Sequence, residues 1–565
     1  MAYTQENRVM KIFTPLKENE LLLTGLRGSE GISRPFRFDL DFISANKDIS
    51  FDAIVGKSVT ISMGLSGGAT KFINGIVTRF SKGDAGVSSA EASAAFPYSA
   101  TVQPAFWLLS LTGDCKVFPN MTVPDIVERI LKEHKIEFKK DLGGYPVREY
   151  CVQYNESDFT FISRLLEQEG IFYYFEHKQG LHTLILVDQN SKVRPCPDLA
   201  VANYRLNLSG TTDEDEIVSL NCEQGIGPTR FAIEDFNFKT PNTDLEAKAP
   251  AVRKMTDKDL EIYCYPGDYE TKQQGARLVD MRMEEEEAHS AHISGASECR
   301  ALQSGYHFEL RDFYRESMNR KQYLVTSVRH TASQSILEGG DFGYANSFTC
   351  IPMDVKYRPL RTTHKPVMQG SQTAVVVGPS GEEIYTDEYG RIKVQFHWDR
   401  DGKKDDKSSC WIRVSQPLAG AGWGGVYLPR VGHEVIVDFL EGDPDRPVVT
   451  GSLYNGINKP PYPLPDEKTK STLKSESSKG GGGFNEIRFE DKKGSEEIYI
   501  HGQKDHNTVV ENSTTHKTTK KHTIKAEEII IEGEQKVTIK AASSSIEIDA
   551  GGITIKGTPL VKINP

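Results

Sequence analysis

A short repeat in the last part of the chain, from about Asn485 to Pro565, limits what the chain can fold into more than any other feature. Apolar pairs stand at Ile529/Ile531, Val537/Ile539, Ile546/Ile548, Ile553/Ile555 and Val561/Ile563, at spacings of 8, 9, 7 and 8 residues. Within each pair the side chains sit at i and i+2, so both point to one face of a strand. At roughly 3.3 Å per residue, eight residues supply one strand and a turn, about one wall of a prism. A β-helix closed by a single chain takes roughly twenty residues per coil. Three identical chains wound together need only one short strand each, with the Ile and Val stripes meeting on a common axis. We therefore read the tail as an intertwined trimeric β-helix whose axis is lined by Ile529, Ile531, Val537, Ile539, Ile546, Ile548, Ile553, Ile555, Val561 and Ile563. Glu528/Glu532, Lys536/Lys540, Glu547/Asp549 and Lys556 alternate outward. The competing arrangement is a run of ordinary hairpins, which lacks an aromatic-rich segment to cover its exposed face.

The 565 residues are too many for one core and predict several domains. No apolar run approaches a membrane span, and the N-terminus, MAYTQENRVMKIF, starts directly in strand-like alternation without a signal peptide. The eight cysteines are scattered with no CxxC pair, as expected of reduced residues in a protein made in the cytosol. A net charge of −11 argues against broad nucleic-acid binding.

From Val9 to Phe80 the pattern is β, clearest where Phe36, Phe38, Leu40 and Phe42 alternate with Arg37, Asp39 and Asp41. Gly64-Leu65-Ser66-Gly67-Gly68 matches the nucleophile-elbow pattern, but strand rather than helix follows, so Ser66 is not assigned a catalytic role. Lys82 to Ala95 reads as a surface loop. Thr122-Val-Pro-Asp125 opens one helix, and Asn155 or Ser157 caps a second, with Phe159, Ile162, Leu165 and Leu166 inward and Gly170 as terminator. Glu167 and Glu169 diverge by about 200° on a helix and read as a solvated face rather than a catalytic pair. A third helix runs from Thr271 to His289, and its charge run Glu284 to Glu287 reads as solvent-facing. His289 and His292 have no third ligand nearby, so no metal is assigned there.

The order Tyr154-Asn-Glu-Ser-Asp158, Arg164-Leu-Leu-Glu167 and Glu169-Gly-Ile-Phe-Tyr173 resembles the VgrG family of trimeric spike proteins in type VI secretion, itself similar to the hub and spike of contractile phage tails. The resemblance implies that residues 1–365 form a hub-like domain of two β-barrel-like subdomains with a few helices. After the polar boundary around Tyr357 to Gly370, short strands are expected at Ala374–Val377, Ile392–Trp398, Trp411–Ser415, Gly425–Leu428 and Glu434–Phe439. They suit a small OB-type barrel over residues 366–460. Such barrels often bind single-stranded nucleic acid. Arg391, Lys393, Trp398, Arg413 and Trp423 are the candidates, opposed by Asp387, Glu388, Asp399, Asp401, Asp405 and Asp406. Asp387-Glu-Tyr-Gly-Arg391, Pro429-Arg-Val-Gly-His-Glu434 and Gly442-Asp-Pro-Asp-Arg-Pro447 are similar to the family's spike-base barrel, although turn chemistry alone accounts for Gly442 to Asp445. Residues 461–484 read as a linker and residues 485–565 as the needle.

The fold class expected is thus mainly β with minor α: hub-like barrels, an OB barrel and a C-terminal trimeric β-helix. The resemblance implies a homotrimer with inner-tube protein and baseplate at the hub end. It places a PAAR-type tip cap and effector proteins at the needle end, with only transient contact with target membranes. Such a protein is assembled in the bacterial cytoplasm and exported by the secretion machine. Leu560, Val561, Lys562, Ile563, Asn564 and Pro565 are the expected cap-binding residues. No nucleophile, base and orienter stand at recognisable spacing, and no HExxH or metal-finger spacing is present, so a structural role without cofactor is expected. The alternatives are a phage-tail hub and spike, or a hydrolase with dispersed active-site residues in the hub. His501, His506, His516 and His522 lack a His-x-His pair and are expected to face outward rather than to hold an ion on a threefold axis.

Overall fold

The alternation from Phe36 to Phe42 becomes the inward face of a hairpin. In the structure, a computed structural model describing residues 4–83, 96–205, 215–335 and 340–562, Leu22–Gly31 pairs antiparallel with Arg34–Ser44, Leu26 opposite Leu40 and Gly28 opposite Phe38. Phe36, Phe38, Leu40 and Phe42 are all buried. A Cβ on Gly28 would lie 2.2 Å from the Phe38 ring, so the strands close only with glycine there. Residues 84–95, most of the loop expected between Lys82 and Ala95, lie outside the described residues.

This hairpin sits within a twelve-stranded sheet. An outer strand, Met10–Phe13, pairs on one side with Ser58–Gly64. Two glutamines close its other side. Met10 N donates to Gln334 Oε1 at 2.8 Å while Gln334 Nε2 donates to Met10 O. Ile12 N donates to Gln5 Oε1 at 2.7 Å while Gln5 Nε2 donates to Ile12 O. A side-chain amide offers the same donor and acceptor as a peptide group, so these two substitute for a neighbouring strand. At the far end of the sheet lies Ile217–Gln224.

Three α-helices among the described residues pack on the hub, and the caps of the first two are among those the sequence predicts. Thr122 accepts from Asp125 N at the start of α1 (Val123–Glu133). Ser157, not Asn155, caps α2 (Asp158–Gln168), and Gly170 with φ +68° ends that turn. Thr271 and Gln274 form a reciprocal capping box on α3 (Lys272–Ser290). Helices α1 and α2 share a core with Phe36 and Phe38, to which α2 contributes Phe161, Ile162, Leu165 and Leu166, while Phe159 is only partly buried. A second core forms around the strands Gln322–Gln334 and Phe342–Pro352. Helix α3 covers a small sheet of Arg230–Ile233, Ala247–Pro250 and Glu261–Cys264.

Five short strands build the barrel, in the order Lys393–Phe396, Gln372–Val377, Glu434–Phe439, Pro447–Leu453 and Arg413–Val414. Ile392, Val394, Ile412, Val435 and Val437 are fully buried at its centre. The strand expected at Gly425–Leu428 is absent. Gly422 and Gly424 take φ of +81° and +140°, which bends the chain into a protruding loop that contains the β-bridge Ala419 to Gly424.

The chain divides into two compact units, residues 1–460 and 461–565. In the second, Lys470–Lys474 is a strand within the stretch read as linker, paired with Glu486–Glu490. No helix among the described residues is long and apolar enough to cross a membrane.

Candidate trimerisation surface and the joint between hub and barrel

The second unit contains two three-stranded sheets, and each has one bare apolar face. In the first, Lys470–Lys474, Glu486–Glu490 and Glu497–His501 pair antiparallel, with Leu473, Ile487 and Ile500 in one cross-strand row and Phe489 opposite Ile498 in the next. These five side chains are between 45% and 69% exposed. The opposite face is closed within the chain, where Tyr462 Oη meets Glu486 and the Arg488 guanidinium lies 4.4 Å from the Tyr499 ring centre. Sequence reading omitted these five residues from the axis, though Ile487/Phe489 and Ile498/Ile500 carry the same i, i+2 signal as the pairs it named.

In the second sheet, Lys536–Ala541, Ser544–Asp549 and Gly552–Lys556 form an antiparallel meander. Within one chain these strands therefore pair as hairpins. The register places Val537, Ile548 and Ile553 in one row and Ile539, Ile546 and Ile555 in the next, all on one face. The five isoleucines are 39% to 68% exposed. Ile529 and Ile531, 54% and 65% exposed, lie in an extended segment outside any strand, as does Val561 at 42%. Leu560 and Lys562 are also exposed, while Ile563, Asn564 and Pro565 lie outside the described residues. His501 Nδ1 is bonded to Phe484 O, and His506, His516 and His522 are exposed. Among the described residues, no group of three or more His, Cys, Asp or Glu is placed to hold a metal ion.

Between hub and barrel the structure assembles a buried ionic joint from residues far apart in sequence. Arg164 of α2, 1% exposed, donates from Nε and Nη2 to Glu156 and from Nη2 to Val152 O at 2.8 Å. The same Val152 donates its N–H to Asp445 Oδ1 at 2.7 Å. Lys365 Nζ lies 2.6 Å from Asp443 Oδ1 and 2.8 Å from Asp445 Oδ2. Arg446 grips Asp235 with both terminal nitrogens, at 3.0 and 2.6 Å, the fork geometry that suits a carboxylate. Burial pushes the Asp445 carboxyl up, but the charges of Lys365 and Arg164 pull it further down, so it is held below its usual value. Burial lowers Lys365 less than the two aspartates raise it, and it stays charged. Gly442-Asp-Pro-Asp-Arg-Pro447 is thus a three-pronged connector as well as a turn. Its excess of charge over what a turn requires was the available signal.

Two expectations about acidic residues are corrected here. Glu167 and Glu169 are buried, not solvated. Glu167 accepts from Thr363 N and Oγ1, both at 2.8 Å, and Glu169 from Arg148 and Arg277, both at 2.7 Å. The run Glu284 to Glu287 is likewise not a solvent face. Glu284 bonds Arg358 Nε at 2.7 Å and also Lys356, and Glu285, 5% exposed, bonds Arg361 N and Nε. The segment around Tyr357, read as a boundary, supplies the Arg, Lys and Thr donors to Glu167, Glu284 and Glu285, while Glu169 is met from the strand Val147–Glu156 and from α3.

The nucleic-acid candidates of the barrel are mostly engaged within the chain. Arg391 donates to Asp387 at 2.7 Å, and Arg391 and Arg413 both stack over the hub's Phe238, 5.3 and 4.9 Å from its centre. Lys393 donates to Ser409 O, and Trp398 donates to Gln372 Oε1. Trp423 alone of the five is exposed, at 64%. Ser66 lies in the tight turn between Ser58–Gly64 and Thr70–Lys82.

Three family profiles match the chain: the phage tail baseplate hub over residues 29–336, the type VI secretion system/phage-baseplate injector OB domain over 375–454, and the bacteriophage T4 gp5 C-terminal trimerisation domain over 471–558. Among curated proteins, the type VI secretion system spike protein VgrG1b of Pseudomonas aeruginosa is 40% identical over 524 residues, covering 91% of this chain and 70% of that protein. VgrG1a of the same organism is 40% identical over 519 residues, covering 90% and 80%. Among solved structures, the E. coli c3393 protein, a component of the type VI secretion system, superposes with a TM-score of 0.57 at 24% identity over 78% of this chain and all of that one. The Francisella PdpA-VgrG complex gives 0.57 at 10% identity over 97% and 87%. The three profiles fall on this chain in the order hub, OB barrel and trimerisation segment, and at 40% identity over nine-tenths of its length the chain belongs to the VgrG family of type VI secretion system spike proteins.

Proposed function

We propose that this chain works as a structural homotrimer, a spike that sits at the tip of an inner tube, punctures target envelopes and carries a tip cap or effectors. The observation that carries this reading is the bare apolar face of the second unit, which has no covering element within that unit among the described residues. Burying six half-exposed Val and Ile side chains of the last sheet recovers roughly half of ~1.5–3 kcal/mol each, ~5–9 kcal/mol per chain. The trimerisation-domain match over the same residues supports the reading. In it, residues 1–365 form the hub facing inner tube and baseplate, residues 366–460 the spike base, 461–484 the linker and 485–565 the needle. The protein is made in the cytoplasm and leaves with the secretion machine. In this reading the chain acts without catalysis, which is supported by its similarity to spike proteins and to the phage tail baseplate hub.

Native mass spectrometry of the full chain tests this against the 63.0 kDa protomer. The expected species is three copies. Replacing Ile546→Glu and Ile548→Glu should shift it to one copy with the hub intact by circular dichroism. A wild-type monomer, or a charged variant that remains trimeric, would overturn the proposed axis.

A further inference from the structure

The loop that replaces the expected strand at Gly425–Leu428 is a built object. Gln416 brackets its neck, donating from Nε2 to Tyr427 O at 3.2 Å and accepting from Tyr427 N at 2.9 Å. Gly425 N donates to Leu418 O, and Gly420 N to Trp423 O at 2.8 Å. The Trp423 ring lies against Gly420 so closely that a Cβ there would come within 2.3 Å of it. The result is a preformed finger carrying Leu418, Trp423, Val426 and Tyr427 at 54%, 64%, 74% and 55% exposure. A rigid, exposed aromatic tip is the kind of element that anchors protein contacts.

A second bare apolar element ends the barrel. Asn455 folds the chain into a turn, its side chain accepting from Ile457 N and Asn458 N and donating to Glu434. Tyr454 and Ile457 stand out from it at 64% and 92% exposure. In a chain that is 26% charged, neither Val414 to Pro429 nor Pro447 to Asn458 contains a charged residue. Patches of this kind on a soluble protein mark contact surfaces.

The connector says which partner. Asn458 donates to Gly432 O of the barrel, and Tyr462 is bonded to Glu486 of the first trimerisation sheet. Only Lys459, Pro460 and Pro461 lie between. Four extended residue steps span at most about 14 Å. A trimer joined through these segments holds its three barrels on tethers of that length, so a second copy of this chain is the partner at highest effective concentration, and the finger root at Tyr427 is five residues from Gly432. Two different patches per protomer suit a heterologous contact, which closes as a ring under threefold rotation.

We propose that the Leu418–Tyr427 finger of one protomer docks on the Tyr454–Ile457 turn of a second copy of this chain, a barrel-level contact separate from the needle axis. The inference rests on the trimer proposed above. The test introduces p-benzoylphenylalanine in place of Trp423 in the purified full chain, with native mass measured on the same sample. The expected result is a trimer whose irradiation shifts the denatured chain to covalent dimer and trimer, with cross-links mapping to residues 453–457. A native trimer that gives no cross-link between chains, or cross-links elsewhere, overturns the finger contact and leaves the trimer standing. A native monomer overturns the trimer itself, and this contact with it.

Discussion

Replacing Asp445→Ala tests whether the ionic joint holds hub and barrel together. The substitution removes the acceptor of Val152 N–H and one of the two carboxylates that neutralise Lys365. A buried donor left without partner costs about 1–3 kcal/mol. Breaking one side of a buried ion pair brings the loss to about 3–5 kcal/mol, part of it softened because Asp443 remains beside Lys365. Melting a unit of 460 residues carries an entropy of about 2.1 cal/mol/K per residue, near 1 kcal/mol/K in all, so the transition should fall by about 3–5 °C. Scanning calorimetry reads that shift, and hydrogen exchange of the peptide containing Val152 reads the local opening. Lys365→Met combined with Asp445→Ala should cost less than the two single changes summed, because each single change strands the other charge. The joint also predicts a pH window. Since the Asp445 carboxyl is held below its unfolded value near 3.9, its contribution is complete above that pH and is lost as pH falls through the lower folded value. A variant melting within about 1 °C of wild type, with Val152 exchange unchanged, would refute the reasoning.

Two further outcomes are expected. Burial holds His177 and His182 neutral with pKa values of about 3 and about 4, and both accept backbone N–H bonds, from Asn74 and Ala105. Unfolded histidine binds its proton near 6.5, so hub stability should decline as pH drops from about 6.5 towards 4. His182→Gln should flatten that slope in melting curves, and an unchanged slope would remove the histidines as its cause. At the other end, exposed Leu560 and Val561 are the proposed cap seat. Deleting residues 560–565 should leave the trimer by native mass and abolish co-purification of a cap protein, so a truncated trimer that retained its cap would exclude the site.

The parts that were readable in sequence are those written in local periodicity. The strand from Phe36 to Phe42, the caps of the first two helices and the apolar pairs Val537/Ile539, Ile546/Ile548 and Ile553/Ile555 of the tail each depend on residues within one turn or one strand. The joint was unreadable for the opposite reason. Asp445 meets Val152 across 293 positions and Glu167 meets Thr363 across 196, and no periodicity in a helix says that a distant strap will deliver a donor to its acidic face. Gly425–Leu428 failed differently. Its apolar residues mimic a strand, but the glycines before it set a backbone that no ladder accepts. The trimerisation segment was signalled by its repeat, yet Leu473 was hidden because the surrounding Ser, Lys and Gly look like a linker.

The joint between hub and barrel has a mechanical meaning under the axial load that the proposed function implies. Contacts made by dispersion are brittle: a gap of 0.5–1 Å forfeits about a quarter to a half of their attraction. Coulomb attraction falls only as the inverse of distance, so stretching a pair from about 3 to about 4 Å gives up only about a quarter of it. With Lys365 between Asp443 and Asp445, and Arg446 forked onto Asp235, the seam resembles a sprung coupling more than a glued one. It can yield by a fraction of an ångström on impact and draw itself closed again.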